Sequence, residues 1–145
     1  MINTIINSPD APEPVGAYPH ARRVGDLLFL SGIGPRRVGS TEIPGVTLGA
    51  DGSVAQYDIA VQTRSVFENV TAVLKSAGLG LEHLADVTVF LTNMKADFST
   101  YNTIYAEYLS TYKPCRTTVE ILSLPTPIGI ELKCIAVFPD AKNLQ

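Results

Sequence analysis

Hydrophobic residues recur at helical spacing in two stretches of the chain. The first stretch follows Asp58, which can cap a helix, and ends at Gly78, which favours a helix stop. The second runs from about Phe98 to Tyr112, with Asp97 as its predicted cap and Pro114 just beyond it. Its apolar stripe comprises Phe98, Tyr101, Ile104, Tyr105, Tyr108, Leu109 and Tyr112. The pattern predicts two amphipathic helices whose tyrosines belong mostly to the core.

The other apolar segments have the alternating or continuous pattern of β-strands. We predict strands at residues 2–6, 18–24, 27–31, 86–93, 116–121 and 130–138. Gly25 and Asp26 form a tight turn between the second and third of these strands. Residues 32–56 contain six glycines and two prolines and show little period, which predicts a long functional loop.

The order and character of these elements predict an α+β fold. Two helices can cover one face of a single mixed β-sheet, and they leave the other face bare. The last strand is nevertheless apolar on both faces, with Leu132 and Cys134 on one side and Ile135 and Val137 on the other. We therefore expect residues 1–145 to form one domain whose uncovered sheet face packs against another copy of the chain.

Composition and charge narrow the classes of function. The 145 residues are 46% hydrophobic and 17% charged, which is typical of one globular domain. The formal net charge of −3 argues against nucleic acid as a partner, and no apolar run is long enough to span a membrane. The first residues lack the features of a signal peptide, so we expect a cytoplasmic protein.

Residue types that bind metals or change redox state are few. Cys115 and Cys134 stand in apolar contexts and are expected to be buried, reduced thiols. His20 and His83 have no assignable partner and are interpreted as structural or exposed. Because these four side chains do not lie at close ligand spacing, we predict no metal site.

Two adjacent arginines, Arg36 and Arg37, stand in the glycine-rich loop. The surrounding residues 34–41 nearly spell a phosphate-binding loop, but the lysine of that motif is missing and Pro44 prevents the helix that should follow. The N–H donors of a guanidinium group fit the two oxygens of a carboxylate, so the arginine pair can bind an anion at the mouth of a site. Alternatively, the two side chains are simply solvated.

A carboxylate within an apolar strand is a candidate for proton transfer. Glu131 lies between Ile130 and Leu132, where it is either desolvated, with a raised pKa, or paired. Lys133 shares its strand face and is the obvious local partner. Arg116 opens another predicted strand, and a buried arginine usually has a fixed anionic partner, either an acidic side chain or a ligand carboxylate.

Several short motifs along the chain form a specific combination. They are Gly16-Ala17-Tyr18, Leu30-Ser31-Gly32, Gln62-Thr63-Arg64, Thr88-Val89-Phe90, Tyr101-Asn102, Pro114-Cys115-Arg116-Thr117-Thr118-Val119, Leu124-Pro125 and residues 130–137. Together they resemble the RidA/YjgF-like (reactive intermediate deaminase) family. The resemblance implies a chorismate-mutase-like fold, homotrimers with sites between subunits, and a hydrolytic deaminase that needs no metal or organic cofactor.

The resemblance also implies roles for individual residues. Arg116 would grip the substrate carboxylate, and Glu131 would position or activate the hydrolytic water. The pocket would be lined by Tyr18, Ser31, Asn102 and Thr118.

Within the family, the chain looks most like the 2-aminomuconate deaminases. The features concerned are the arginine pair, Asn93-Met94, residues 105–108, residues 116–119 and the Glu-x-Lys pattern of the last strand. The substrate of such an enzyme carries a second carboxylate, for which Arg36, Arg37 and Lys133 are the candidate cations. Ala17 and Lys133 depart from the general pattern of the family. The segment 95–97 is one residue longer than usual, which could displace Asn102.

Three hypotheses follow. The first is a deaminase that converts 2-aminomuconate to 4-oxalocrotonate and ammonia in the degradation of aromatic compounds. The second is a general deaminase of 2-imino acids and enamines. The third is a non-catalytic, ligand-binding trimer. Arg116 and Glu131 favour an enzyme.

Overall fold

A computed structural model describes residues 1–140, and the predicted domain 1–145 extends beyond that range. The helices are α1 (Ile59–Ser76) and α2 (Met94–Leu109), with a 3₁₀ turn at Leu81–His83. No helix within residues 1–140 is long and apolar enough to cross a membrane. The strands are β1 (Asn3–Ile6), β2 (Ala21–Val24), β3 (Leu27–Leu30), β4 (Val46–Leu48), β5 (Val54–Tyr57), β6 (Leu84–Leu91), β7 (Cys115–Glu120) and β8 (Ile130–Val137).

Six strands form one sheet in the order β1-β2-β3-β8-β6-β7. The β6–β7 pair is parallel and the other neighbouring pairs are antiparallel, so the sheet is mixed. Helix α2 connects the two parallel strands, as such a crossover requires. Both helices pack on one face, with α1 over β8 and α2 over β6. The predicted α+β architecture, a single mixed sheet with two helices on one face, is confirmed.

The first helix begins as predicted, but the second does not. Asp58 caps α1 by accepting hydrogen bonds from two backbone N–H groups of the first turn. Helix α2 is capped by Asn93, whose side chain accepts a hydrogen bond from a first-turn N–H group. The predicted cap, Asp97, lies inside that turn and is 7% exposed. Its carboxylate accepts a hydrogen bond from the Tyr57 hydroxyl at 2.5 Å, so a distant partner holds it within the helix.

The segment predicted as a long loop contains a two-stranded hairpin. Strands β4 and β5 pair antiparallel, apart from the main sheet, with Val46 opposite Tyr57. Gly52 lies in the turn with φ of +80°, a conformation that glycine adopts readily. The hairpin side chains are exposed or half-buried, so they carry no strong hydrophobic period. For this reason the sequence pattern did not predict the hairpin.

The core lies between the helices and one face of the sheet. From β6 and β8 it receives Val87, Val89, Leu91, Ile130, Leu132, Cys134 and Ala136. The opposite face has an apolar part, beside the charged Glu131 and Lys133, and is only partly covered within the chain. Phe29, Phe90 and Ile135 are half-buried there, whereas Leu27 is 40% and Val137 is 39% exposed. The expected contact with another copy of the chain would cover this bare face.

The two cysteines differ in exposure. Cys134 is buried in the core, and burial raises the pKa of its thiol to about 12. Cys115 is exposed at the start of β7, so the prediction of two buried thiols is wrong for this residue. The reason is that β7 is an edge strand, and Cys115 points with its partner Asp86 toward the sheet face that the helices leave bare.

Candidate active site

A pocket lies between the N-terminal loop, the end of β3 and helix α1. It is lined by Ala11, Pro12, Pro14, Tyr18, Pro19, His20, Ser31, Gly32, Ile33, Gly34, Arg36, Asn69 and Val73. Two of the predicted lining residues, Tyr18 and Ser31, meet here. The Ser31 hydroxyl donates to the Pro19 carbonyl at 2.7 Å, and the Tyr18 hydroxyl accepts from the Val15 N–H group at 3.2 Å. The first bond holds the proline-rich loop against the end of β3, and the second lies within the loop itself.

The histidines have structural roles. His20 Nδ1 accepts a hydrogen bond from the Ser8 N–H group at 3.0 Å, and Nε2 donates to the Pro12 carbonyl at 2.8 Å. His83 Nδ1 accepts from the Gly80 N–H group at 3.0 Å. Both ring nitrogens of His20 are therefore occupied in holding the loop. Within residues 1–140, no group of three or more His, Cys, Asp or Glu side chains is arranged to hold a metal ion.

An irregularity between β3 and β8 positions Glu131. The regular pairing ends at Phe29 and resumes with a bridge between Ile33 and Leu132, after one extra residue on the first of the two strands. Such a bulge bends the chain and changes the direction of its side chains. Gly32 lies in this bulge, and a Cβ atom there would be 2.7 Å from Glu131 Oε2. Glycine therefore lets the carboxylate pack directly against the backbone, and a larger residue would displace the Glu131 side chain.

The Glu131 carboxylate is half-buried on the sheet face opposite the helices. Burial raises its pKa above the usual value, and the positive charge of Arg36 opposes this rise. The Lys133 ammonium does not pair with it, because it donates to the Leu30 carbonyl beside the bulge. Among residues 1–140, Glu131 has no hydrogen-bond or ion-pair partner. The structure therefore supports the desolvated alternative and not the Glu131–Lys133 pair.

The two loop arginines have different surroundings. Arg36 lines the pocket, and its Nη2 donates to the Glu13 carbonyl at 2.9 Å, which joins the loop after β3 to the N-terminal loop. Arg37 is exposed and borders only a neighbouring open cleft, which Arg36 also borders. Arg36 is thus the better placed of the two to clamp an anion in the pocket.

Side chains of α2 surround Arg116. Its Nη1 donates to Asn102 Oδ1 at 2.7 Å, so the longer segment at 95–97 does not displace Asn102 from this contact. The guanidinium carbon also faces three ring centroids, at 4.8 Å (Tyr105), 5.6 Å (Tyr101) and 6.0 Å (Phe98). Rings at these distances attract the cation and orient its plane. The other Arg116 donors have no hydrogen-bond partner among the described residues and can receive a carboxylate.

Thr118 supports this cluster indirectly. It lies two residues after Arg116 on the same face of β7, and its Oγ1 shares a hydrogen bond of 2.8 Å with the Tyr101 hydroxyl. Tyr101 is fully buried, so this bond fixes one of the rings beside the guanidinium. Thr118 therefore contacts the aromatic wall of the site through Tyr101, and its role in lining the pocket stays a prediction.

The predicted residues fall into two groups on opposite faces of the sheet. The glutamate half-site comprises Tyr18, Ser31, Gly32, Arg36 and Glu131, and the arginine half-site comprises Phe98, Tyr101, Asn102, Tyr105, Arg116 and Thr118. Arg116 pairs with Val87, whose side chain faces the helices, while Glu131 pairs with Phe90 on the bare face. The two positions are two strands and three residues apart, roughly 14 Å within the sheet. One chain therefore does not bring both groups to one small substrate.

Sequence reasoning missed three contributors. The spacing predicts core positions for Phe98 and Tyr105. Tyr105 does belong to the core, but its ring and that of the partly exposed Phe98 also face Arg116. Gly32 was not recognised as the contact of Glu131. A signal for the rings was present, because Asn102 follows Phe98 by four residues and precedes Tyr105 by three, which places a polar side chain on the aromatic face of α2.

Comparison with known proteins identifies the family. The family model described as Endoribonuclease L-PSP, which is the RidA/YjgF family, matches residues 8–138. The chain belongs to this family. A RutC family protein of Pyrococcus horikoshii is 37% identical over 135 residues, which are 91% of this chain and 95% of that protein.

Solved structures of RidA/YjgF proteins share the fold. E. coli TdcF with bound serine matches with a TM-score of 0.80 at 30% identity, over 94% of this chain and 99% of that one. The E. coli YjgF gene product matches with a TM-score of 0.79 at 29% identity, over 92% of this chain and 98% of that one. The chorismate-mutase-like fold is confirmed, and the family is generally one of imine and enamine deaminases. These names do not identify a substrate, so the 2-aminomuconate subgroup remains a prediction.

Proposed function

We propose that the protein is a cofactor-independent deaminase that hydrolyses an imine or enamine of a carboxylic acid. The observation that carries the proposal is the chemistry of the two half-sites. Arg116 presents unpaired guanidinium donors within an aromatic wall, and Glu131 is a half-buried carboxylate without a cationic partner among the described residues. An arginine fork binds a carboxylate at two points, and a carboxylate of raised pKa exchanges protons closer to neutral pH.

These two groups support the following reaction. An enamine first takes a proton from solvent on carbon and becomes an iminium ion. Water then adds to the carbon that bears nitrogen, while Glu131 accepts a proton from the water. Glu131 passes this proton to nitrogen, the C–N bond breaks to release ammonia, and the hydroxyl group loses its proton to solvent and becomes the carbonyl group. Arg116 binds the adjacent carboxylate throughout and keeps the reacting carbon in position.

The separation of the half-sites supports a site shared between subunits. We propose a homotrimer in which Arg116 of one subunit and Glu131 of the next face the same substrate. Contact between subunits would also cover the apolar sheet face that includes Leu27 and Val137. The cytoplasmic location predicted from the sequence fits a small-molecule enzyme of this kind and remains part of the proposal.

Subunit mixing tests the shared site. Homotrimers of Arg116→Ala and homotrimers of Glu131→Gln should both be nearly inactive. Refolding the two variants together at equal amounts should restore about a quarter of the wild-type activity, because each mixed site then has an even chance of receiving each intact residue. Light scattering gives the oligomeric state of every sample. A stable monomer, or no recovery in confirmed mixed trimers, would contradict the shared site.

The proposed substrate is 2-aminomuconate, with 4-oxalocrotonate and ammonia as products. This compound has one carboxylate beside the nitrogen and a second at the far end. Arg36 lines the pocket and its positive charge acts on Glu131, so it can receive the second carboxylate of a substrate held near both. Lys133 is less suitable because its ammonium already donates to the Leu30 carbonyl.

A general 2-imino acid deaminase is the second candidate. It is favoured by the serine bound to the related TdcF, since serine has a single carboxylate. A non-catalytic trimer that binds such small acids is also compatible with that observation. Side-by-side assays of the purified protein on 2-aminomuconate and 2-iminobutanoate distinguish the three. The first hypothesis expects a preference for 2-aminomuconate, the second expects turnover of 2-iminobutanoate, and the third expects turnover of neither.

Substitution of Arg36 tests the second carboxylate. Arg36→Ala should lower kcat/KM for 2-aminomuconate by roughly 10–100-fold, since a charge-assisted hydrogen bond contributes about 1.5–3 kcal/mol. Activity on 2-iminobutanoate should change little. Arg37→Ala is the matched control, because this exposed arginine lies along the neighbouring cleft. Equal losses on both substrates would indicate a misfolded loop, and no loss on either would favour the general deaminase.

A further inference from the structure

Three consecutive carbonyl groups of the loop after β3 are bound by two side chains of α1. Ser65 Oγ donates to the Pro35 carbonyl at 2.8 Å. Asn69 Nδ2 donates to the Gly34 carbonyl at 2.9 Å and to the Arg36 carbonyl at 2.6 Å. Ser65 and Asn69 are four residues apart and so lie on one face of the helix. Together they hold the turn formed by residues 34–36.

Both donors are deeply buried. Ser65 is 6% and Asn69 is 7% exposed, and they lie among core residues of the same helix such as Val66 and Val70. A polar side chain in such a position costs stability unless it is hydrogen-bonded. Here both amide hydrogens of Asn69 are used on the loop. Two core positions of α1, Ser65 and Asn69, are therefore occupied by polar residues that fix the backbone of residues 34–36.

Fixing this backbone determines where the Arg36 side chain stands. Its carbonyl is directed toward α1, and its guanidinium extends to the pocket and donates to the Glu13 carbonyl. Its charge reaches the Glu131 carboxylate. A long arginine side chain loses conformational entropy when a ligand fixes it in one place. An anchored backbone lowers this entropy cost, because part of the segment is already fixed before binding. Asn69 also lines the same pocket behind the turn.

We infer that Asn69 is a positioning residue: by holding the 34–36 turn it places the Arg36 guanidinium in the pocket and makes the site selective for ligands with a second anionic group. The inference rests on the proposed role of Arg36 in substrate recognition. It concerns binding selectivity, so it can be tested without turnover.

The test uses a matched pair of unreactive ligands. Muconate and sorbate have the same six-carbon diene, but only muconate has a carboxylate at both ends. Titration calorimetry on the wild-type protein should give a dissociation constant for muconate at least roughly tenfold below that for sorbate. Asn69→Leu, which removes both donors and keeps a similarly branched shape, should bring the two constants close together, as should Arg36→Ala. Asn69→Ser keeps one short donor and should give an intermediate ratio, and it replaces the leucine variant if that variant does not fold.

The double variant and a control on the same helix separate positioning from general destabilisation. Asn69→Leu combined with Arg36→Ala should lower the preference for muconate, measured as the ratio of the sorbate and muconate dissociation constants, no further than Arg36→Ala alone. Thr63→Val is the control, because the buried Thr63 hydroxyl donates only to the Ile59 carbonyl of its own helix, and it should keep the wild-type ratio.

Three results would overturn the inference. They are a wild-type protein without preference for muconate, an intact preference in folded Asn69 variants, and an additional loss in the double variant. Selective binding of muconate by a protein that hydrolyses no imine or enamine would instead overturn the proposed function and uphold the role of Asn69.

Discussion

Replacing Arg116 with lysine is expected to lower kcat/KM for a carboxylate-bearing imine or enamine by roughly 100–1,000-fold. An ammonium group keeps the charge but does not reproduce the planar, two-point contact with a carboxylate. It also loses the fixed orientation that the Tyr105 ring and the Asn102 side chain give the guanidinium. Most of the effect should fall on KM if the carboxylate is bound equally in the ground and transition states, and on kcat if the contact tightens during the reaction.

A surface pair provides the control for this substitution. Arg64 forms a two-point ion pair with Glu107 between the helices, with both side chains about half exposed. Arg64→Lys therefore makes the same chemical change away from both half-sites and should leave the kinetics unchanged. Circular dichroism and thermal unfolding compare the folding of the two variants. If Arg116→Lys has wild-type kinetics, Arg116 does not bind the substrate carboxylate.

Replacing Glu131 with glutamine should lower kcat by roughly 100–10,000-fold, the range that a positioned proton-transfer group contributes. Glutamine has nearly the same shape, so it should keep the packing against Gly32 and the fold. It does not accept a proton from water at neutral pH. Substrate binding should therefore persist while turnover is lost. Stopped-flow binding and steady-state assays together separate these two effects.

The pH profile gives an independent signature of the same group. Water activation requires the deprotonated carboxylate, so activity should fall as the pH drops through the pKa of Glu131. Because burial raises that pKa, the acid limb of kcat/KM should lie above the ordinary glutamate value of 4.5. Arg36→Ala removes the charge that opposes this rise and should move the limb to still higher pH.

Glu107→Gln is the control for Glu131→Gln. Glu107 is an exposed carboxylate whose pKa is lowered by its hydrogen bonds with Arg64, so its loss should not change the acid limb of the profile. If Glu131→Gln has wild-type turnover, or if its pH profile keeps the wild-type acid limb, another group transfers the proton.

The residue types and hydrophobic pattern around a position predicted much of the candidate site, because they show whether a charged side chain stands in an apolar segment. A carboxylate in an apolar strand must be desolvated or paired, and this reasoning selected Glu131 correctly as an unusual group. The sequence pattern did not decide between the two alternatives. That choice depended on the bulge between β3 and β8, which gives Lys133 a carbonyl partner at Leu30.

Errors occurred where a distant partner overrode a local preference. Asp97 has the residue type of a helix cap, but its hydrogen bond with Tyr57 holds it within the first turn of α2. Phe98 has the spacing of a core residue, but it is partly exposed and the edge strand β7 brings Arg116 near its ring. Cys115 stands in an apolar context, yet its edge position leaves it exposed.

The sequence by itself determined the two amphipathic helices, the main strands and a bare apolar sheet face, because hydrophobic periodicity and caps depend on neighbours a few residues away. It also selected Arg116 and Glu131 as candidate site residues. Only the tertiary structure showed that these residues lie on opposite faces of the sheet, since strand order and register pair segments far apart in the chain. The same long-range contacts placed Arg36 in the pocket and Arg37 outside it, because Asn69 and Ser65 bind a loop more than 25 residues earlier in the chain.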